Sequence, residues 1–171
     1  MSKLAWPLKQ NRIRRGMVNH TFGLVRNNNT RNHQGWDLYA AAGTPIYAVT
    51  DGRIHRARNL GNAGFGNTIL LEFQHEGRTL YATYAHLSCF TVRELEFVTR
   101  GQVIGKTGNT GNAVSMRGED QHLHFEIRYK DLPGLGLGGR IDPAEIYGPP
   151  PLGRLPVPEN HREPEKIQCL D

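Results

Sequence analysis

His122 and His124 stand two residues apart in a stretch, Gln121 to Tyr129, where Leu123, Phe125, Ile127 and Tyr129 alternate with His122, His124, Glu126 and Arg128. A period of two predicts a strand with one apolar and one polar face. Both imidazoles then project from the same face, roughly 6 to 7 Å apart at their roots. His33 and Asp37 form a second pair, four residues apart, in His33-Gln34-Gly35-Trp36-Asp37. A helix would bring them together, but Gly35 and the Asn-rich stretch before it favour a loop or bulge entering a strand, where a glycine bend can gather both groups round one ion. Taken alone, this pair reads as a turn-capping carboxylate beside a solvated imidazole. Taken with the His-x-His strand, it completes an inventory of two imidazoles, a carboxylate and spare imidazoles that suits Zn²⁺ with an open coordination position. Such a site does hydrolytic chemistry, because zinc acidifies a bound water to a pKa of about 7 and polarises a carbonyl. A structural zinc is usually closed by four ligands, often cysteines, and the 2 Cys here, Cys89 and Cys169, lie far apart.

Placing these groups calls for strands and sharp turns. The 20 Gly and 10 Pro, with Thr, Tyr, Val and Ile in short runs, predict a mainly β protein. Asp51-Gly52 lies between Ile46–Thr50 and Arg53–Ala57, which signals a tight hairpin or a bulge. Thr68–Gln74 and Arg78–Leu87 flank His75-Glu76-Gly77 as a second hairpin, whose second strand ends at His86. The glycine-punctuated run from Gly101 to Asn112 has no Walker spacing and reads as short strands with turns, not a phosphate cradle. Residues 1–18 read as a basic lead-in and 148–171 as a peripheral tail, which carries six of the ten prolines (149, 150, 151, 156, 158 and 164).

A chain of 171 residues buries roughly 70% of its unfolded surface in one compact domain. Two cysteines exclude a disulfide framework; Cys89 and Cys169 are read equally as a pair or as two unrelated thiols. A mean hydropathy of −0.55, with no apolar run near the roughly 20 residues that span a bilayer, argues against a transmembrane segment. The net charge of +5, with Lys3, Lys9, Arg12, Arg14 and Arg15 crowding the N-terminus, predicts either an anionic partner or a solvated arm. No helix-turn-helix, aromatic RNA-binding strand or zinc-finger spacing is present, so nucleic acid is not the expected partner.

In order along the chain come Phe22-Gly23, His33-x-x-x-Asp37-Leu38, Gly43-Thr44-Pro45-Ile46-Tyr47-Ala48, Asp51-Gly52, Gly64-x-Gly66-Asn67 and Tyr84-Ala85-His86-Leu87. Gly101-Gln102-x-Ile104-Gly105-x-x-Gly108-x-Thr110-Gly111 and His122-Leu123-His124-Phe125-Glu126 follow. In these residues the chain resembles the lysostaphin or LytM-type zinc metallo-endopeptidases that cut peptide bridges in peptidoglycan. The resemblance implies a small antiparallel β-sheet core with long loops bounding a groove, of the duplicated-hybrid-motif type, over residues 19–147. It implies that His33, Asp37 and His124 hold zinc and that His86 and His122 are the catalytic histidines beside it, near neutral in pKa.

All five positions are filled, which argues against the non-catalytic relatives that keep the fold as wall-binding or regulatory modules. The expected substrate is the peptide stem of peptidoglycan, met in the periplasm or the extracellular wall by a monomer. The first residues lack a secretory signal's apolar core. The expected route is therefore injection or lysis-type delivery as an antibacterial effector, with a cognate inhibitor or immunity protein in the producer, or a signal already removed. Glu126 and Arg128 share the polar face as support, substrate contacts or a solvated rim. Trp36 is expected to pack beneath the site or else to shape the groove, with packing favoured, and Tyr47, Tyr81 and Tyr84 to be strand residues. His20, near enough to line the groove, is assigned with His55, His75 and His161 to the surface.

Overall fold

The structure, a computed structural model, describes residues 3–61 and 64–171. Residues 1 and 2 of the basic lead-in lie outside the described residues. The first strands are β1 (Gln10–Asn11), β2 (Gly23–Arg26), β3 (Arg31–His33), β4 (Trp36–Tyr39) and β5 (Pro45–Tyr47). Longer ones follow: β6 (Gly52–Asn59), β7 (Asn67–His75), β8 (Arg78–Phe90), β9 (Phe97–Val98), β10 (Val103–Thr107) and β11 (His122–Arg128). The chain ends with β12 (Arg140–Ile141), a single turn of helix α1 (Ala144–Tyr147) and β13 (Val157–Pro158). The architecture is mainly β, as expected. The main sheet runs β12-β11-β8-β7-β6-β9, entirely antiparallel, with β4 sharing an edge of β11 and β10 joining β8 to β5.

The hairpin expected around His75 forms: Glu76 (φ 50°) and Gly77 (φ 79°) make the two-residue turn whose positive φ values match strand twist, and His75 pairs with Arg78. Its second strand does not stop at His86 but continues to Phe90. Asp51-Gly52 is not a hairpin. β5 pairs with β10, whereas β6 pairs with β7 and β9, so the dipeptide joins strands with different partners. The glycine serves a close approach, because a Cβ at Gly52 would collide with the Glu72 carbonyl oxygen of the neighbouring strand.

Strand β11 buries both faces. Leu123, Phe125 and Ile127 enter the apolar core with Trp36, Leu38, Ile46, Ile69, Leu71, Tyr84 and Ile104, while His122, His124, Glu126 and Arg128 are buried on the other side. Tyr129, expected to continue the apolar row, falls beyond the strand and is half exposed. Trp36 packs as expected, stacked on Trp6 at 6.0 Å between ring centroids. The Tyr84 hydroxyl donates to the Tyr47 carbonyl and accepts from the Val49 N–H, which satisfies the polar end of a fully buried ring.

Both chain ends pack onto this core. Leu4, Ala5, Leu8 and Ile13 are buried, Ile13 bridges to Leu38, and the Tyr39 N–H donates to the Arg12 carbonyl. Instead of lying at the periphery, the proline-rich tail returns across the N-terminal segment. β13 pairs with β1, and the Asn11 side chain donates to the Leu8 and Val157 carbonyls. His161 is buried, not on the surface: its ring stacks on Tyr47 at 4.0 Å and its Nε2–H donates to the Trp6 carbonyl. Further on, Cys169 is disulfide-bonded to Cys89 with a Cα separation of 5.7 Å, and the Leu170 N–H donates to the Phe90 carbonyl.

The disulfide spans 80 residues. Closing a loop of that length is worth about 4.5 kcal/mol by the chain-entropy relation. At roughly 2–4 °C per kcal/mol for a chain of this size, a Cys89→Ser/Cys169→Ser variant is expected to melt about 10 °C or more below wild type by circular dichroism, with the same fall when wild type is scanned in reductant.

Candidate metal centre

Asp37 lies between His33 and His124, and the sheet register explains why. β4 lies against β11 with Asp37 directly opposite His124 and Trp36 opposite Phe125. The pleat therefore sends Trp36 and Phe125 to the core and Asp37 and His124 to the other face. His33 reaches the same face across a tight connection at Gly35, where a Cβ would run into the Phe125 carbonyl oxygen and the Glu126 side chain. No other residue lets the backbone lie that close to β11. Donor atoms of His33, Asp37 and His124 all fall within 4.8 Å of one another, and all three residues are buried.

His86 arrives by a different device. Ala85 pairs with His124 on β11, so the regular pleat would turn His86 to the opposite face. Its backbone instead adopts φ 62°, a left-handed conformation uncommon outside glycine, beside register shifts in both flanking ladders. The ring swings round to 5.1 Å from His122 and 6.0 Å from His124 between centroids. All five candidate residues thus share one face.

Hydrogen bonds fix the ring nitrogens. His33 Nδ1 donates to the Thr21 carbonyl, His86 Nδ1 to the Thr110 carbonyl and His122 Nδ1 to the Asp120 carbonyl, each at 2.8 Å. A carbonyl only accepts, so each Nδ1 carries the hydrogen and each Nε2 presents a lone pair. His124 is held the other way round: Nε2–H donates to Glu126 Oε2 at 2.7 Å, leaving Nδ1 facing inward. His33 Nε2 and His124 Nδ1 then point at Asp37 Oδ1 across 3.1 and 2.9 Å. Facing acceptors at that distance repel unless a cation lies between them. Burial disfavours a proton on His124, yet its bonds to Asp37 and Glu126 outweigh this and raise its pKa to about 9. Two imidazole nitrogens with one carboxylate oxygen, all buried and turned toward one another, are a donor set suited to a divalent zinc ion.

The other face of Asp37 is bound by residues that sequence reasoning missed. Oδ2 accepts from Arg26 Nη2 at 2.9 Å and lies 3.5 Å from His20 Nδ1 and 3.7 Å from Arg14 Nη1. His20 is buried against the centre, not on the surface, because an almost fully buried carboxylate must be surrounded by donors. Burial alone would raise the Asp37 pKa, but the neighbouring His122, His33, His124 and His20 hold it well below the usual range. Nor do Glu126 and Arg128 form a rim. Glu126 is 0% exposed; Oε1 accepts from Arg128 and Arg140 at 2.8 and 2.6 Å while Oε2 holds His124. The alternation of β11 carried that signal: a carboxylate one position along the same face as two imidazoles is placed to orient one of them. His86 and His122 depart from the expected near-neutral range. Burial, then the nearby imidazoles, takes His86 down to about 3, and burial also lowers His122. Both are neutral at physiological pH, with Nε2 free to accept.

Phe65 covers the centre, its ring stacked on His124 at 5.0 Å and 15°, and its carbonyl accepts from the His86 N–H. His55 lies apart, half buried against Asp131 at 3.2 Å, and His75 sits at its hairpin.

Residues 31–136 match the profile of peptidase family M23. Peptidoglycan DD-endopeptidase ShyA of Vibrio cholerae serotype O1 is 38% identical over 112 residues, which cover 66% of this chain and 24% of that protein. Murein hydrolase activator NlpD of Escherichia coli K12 is 35% identical over 132 residues, 76% of this chain and 29% of that protein. The chain therefore spans about a quarter of the length of these curated relatives. The catalytic domain of lysostaphin from Staphylococcus simulans superimposes with a TM-score of 0.58 at 29% identity, over 74% of this chain and 86% of that one. The profile match runs through all five residues gathered at the centre, and the sheet that carries them is shared with lysostaphin: the chain belongs to peptidase family M23.

Proposed function

We propose that the protein is a zinc-dependent endopeptidase that hydrolyses peptide cross-links of bacterial peptidoglycan. The observation that carries this reading is the convergence of His33 Nε2, Asp37 Oδ1 and His124 Nδ1, beside two further imidazoles with free Nε2 atoms. His33, Asp37 and His124 would hold the metal, which when bound supplies a Lewis acid and a water acidified to near neutrality. His86 and His122, neutral and fixed through Nδ1, can accept a proton from the attacking water at Nε2 and return one to the leaving amine. The Cys89–Cys169 disulfide supports action in an oxidising compartment, the periplasm or the extracellular wall. The surplus of five positive charges suits a polymer rich in carboxylates and phosphates. The 35% identity to murein hydrolase activator NlpD supports a second reading, a module that activates murein hydrolases.

Intact sacculi incubated with the purified, zinc-loaded protein, with and without a chelator, separate the two readings. Chelator-sensitive loss of cross-linked muropeptides by mass spectrometry is the expected result; stable zinc binding without any cleavage would favour the activator. His33→Ala and Asp37→Ala are expected to abolish both zinc binding and turnover, measured by metal analysis and muropeptide release. His86→Ala and His122→Ala should keep stoichiometric zinc and lose turnover. Glu126→Gln keeps an acceptor near His124 Nε2 but removes the charge, and is expected to weaken zinc binding by about 10- to 100-fold in a competition titration.

A further inference from the structure

We infer that the N-terminal arginines Arg14 and Arg15 act through Asp120 to position His122, so that a segment outside the family match is a working part of the site. The inference rests on the peptidase reading above. Among the described residues the His122 ring makes one hydrogen bond, Nδ1–H to the backbone carbonyl of Asp120 at 2.8 Å. Asp120 ends a single 3-10 turn, Gly118–Asp120, which has no side-chain cap of its own. Beyond its own backbone bonds, Asp120 N–H to the Arg117 carbonyl and Gln121 N–H to the Gly118 carbonyl, the turn is tied to the N-terminal segment by the Asp120 carboxylate. Oδ1 accepts from Arg15 Nε at 2.6 Å and from Arg14 Nη2 at 3.1 Å, and Oδ2 accepts from Arg15 Nη2 at 3.1 Å. Arg15 also lies 3.6 Å from Glu119 in the same turn.

Two-point contact from a planar guanidinium fixes direction as well as distance. Arg15 holds φ 55°, a left-handed backbone uncommon outside glycine, to present its side chain this way. Arg14 is 12% exposed and also reaches Asp37, so one short segment touches both the carboxylate of the centre and the turn that carries His122. The segment has its own supports. The Arg12 carbonyl accepts from the Tyr39 N–H on β4, and the Ile13 N–H donates to the Pro151 carbonyl of the tail. Arg14, Arg15 and Pro151 lie outside residues 31–136, whereas Asp120 and His122 lie within them. Lead-in and tail thus form a brace behind His122.

The test uses zinc-loaded wild type, Asp120→Asn, Arg15→Gln, Arg15→Lys and the Asp120→Asn/Arg15→Gln double variant, assayed well below their melting temperatures. Asp120→Asn keeps the backbone carbonyl and loses only the clamp. Expected are unchanged zinc affinity, a kcat lowered by about tenfold or more with KM little changed, a milder loss in Arg15→Lys than in Arg15→Gln, and a double variant no worse than Asp120→Asn alone. Independently of turnover, ¹⁵N NMR of the labelled imidazoles should show His122 as the Nδ1–H tautomer in wild type and as a mixture in Asp120→Asn. Unchanged kcat and an unchanged tautomer would overturn the inference, as would losses that multiply in the double variant. If wild type itself cleaves nothing, the peptidase reading fails, and the tautomer comparison still decides whether the clamp positions His122.

Discussion

Asp37 is a carboxylate held almost without water, 2% exposed, at the middle of a polar layer on one face of the sheet. An unanswered charge there would cost several kcal/mol, and the surrounding structure meets that demand from both sides. Oδ1 faces three imidazoles; Oδ2 faces Arg26, His20 and Arg14. Donors on the outer oxygen leave the inner one turned toward His33 and His124. The same logic repeats one layer down at Glu126, which spends one oxygen on two arginines and the other on His124. Two buried carboxylates, each divided between a structural and a working oxygen, set the direction of the donor atoms.

Regular β structure could not have assembled this centre unaided. The pleat places Asp37, His122, His124 and Glu126 on one face, but His86 belongs to the other until its left-handed backbone turns it over. His33 belongs to a separate two-stranded sheet and is brought in only because Gly35 lets its connection lie against β11. These two irregularities store local strain or close contact at the site, and long regular pairings hold them: β7 with β8 over eight register pairs, and β11 between β8 on one edge and β4 and β12 on the other.

Much of this was legible in the sequence, for identifiable reasons. The alternation in β11 exposed the His-x-His face because period two is local and depends on one strand only. The β7–β8 hairpin was legible because two β-rich runs flank a short glycine-containing break, His75-Glu76-Gly77. Asp51-Gly52 misled because the same dipeptide serves a close contact with Glu72, and that contact is between strands, invisible to a local rule. His20, Arg14 and Arg26 were missed because their role is set by a carboxylate far along the chain. The tail looked peripheral from its prolines, yet one strand pairing, a stacked His161 and a disulfide bind it to the core.

The central claim is that Asp37 Oδ1, His33 and His124 form a three-donor metal site while His86 and His122 stay outside the coordination sphere. X-ray absorption at the zinc edge of the protein loaded with one equivalent of Zn²⁺ tests this most directly, since it counts ligands without reference to activity. The account predicts two imidazole nitrogens, with the remaining scatterers oxygen. Three or four imidazoles on the metal, or the same spectrum from an Asp37→Ala protein, would contradict it.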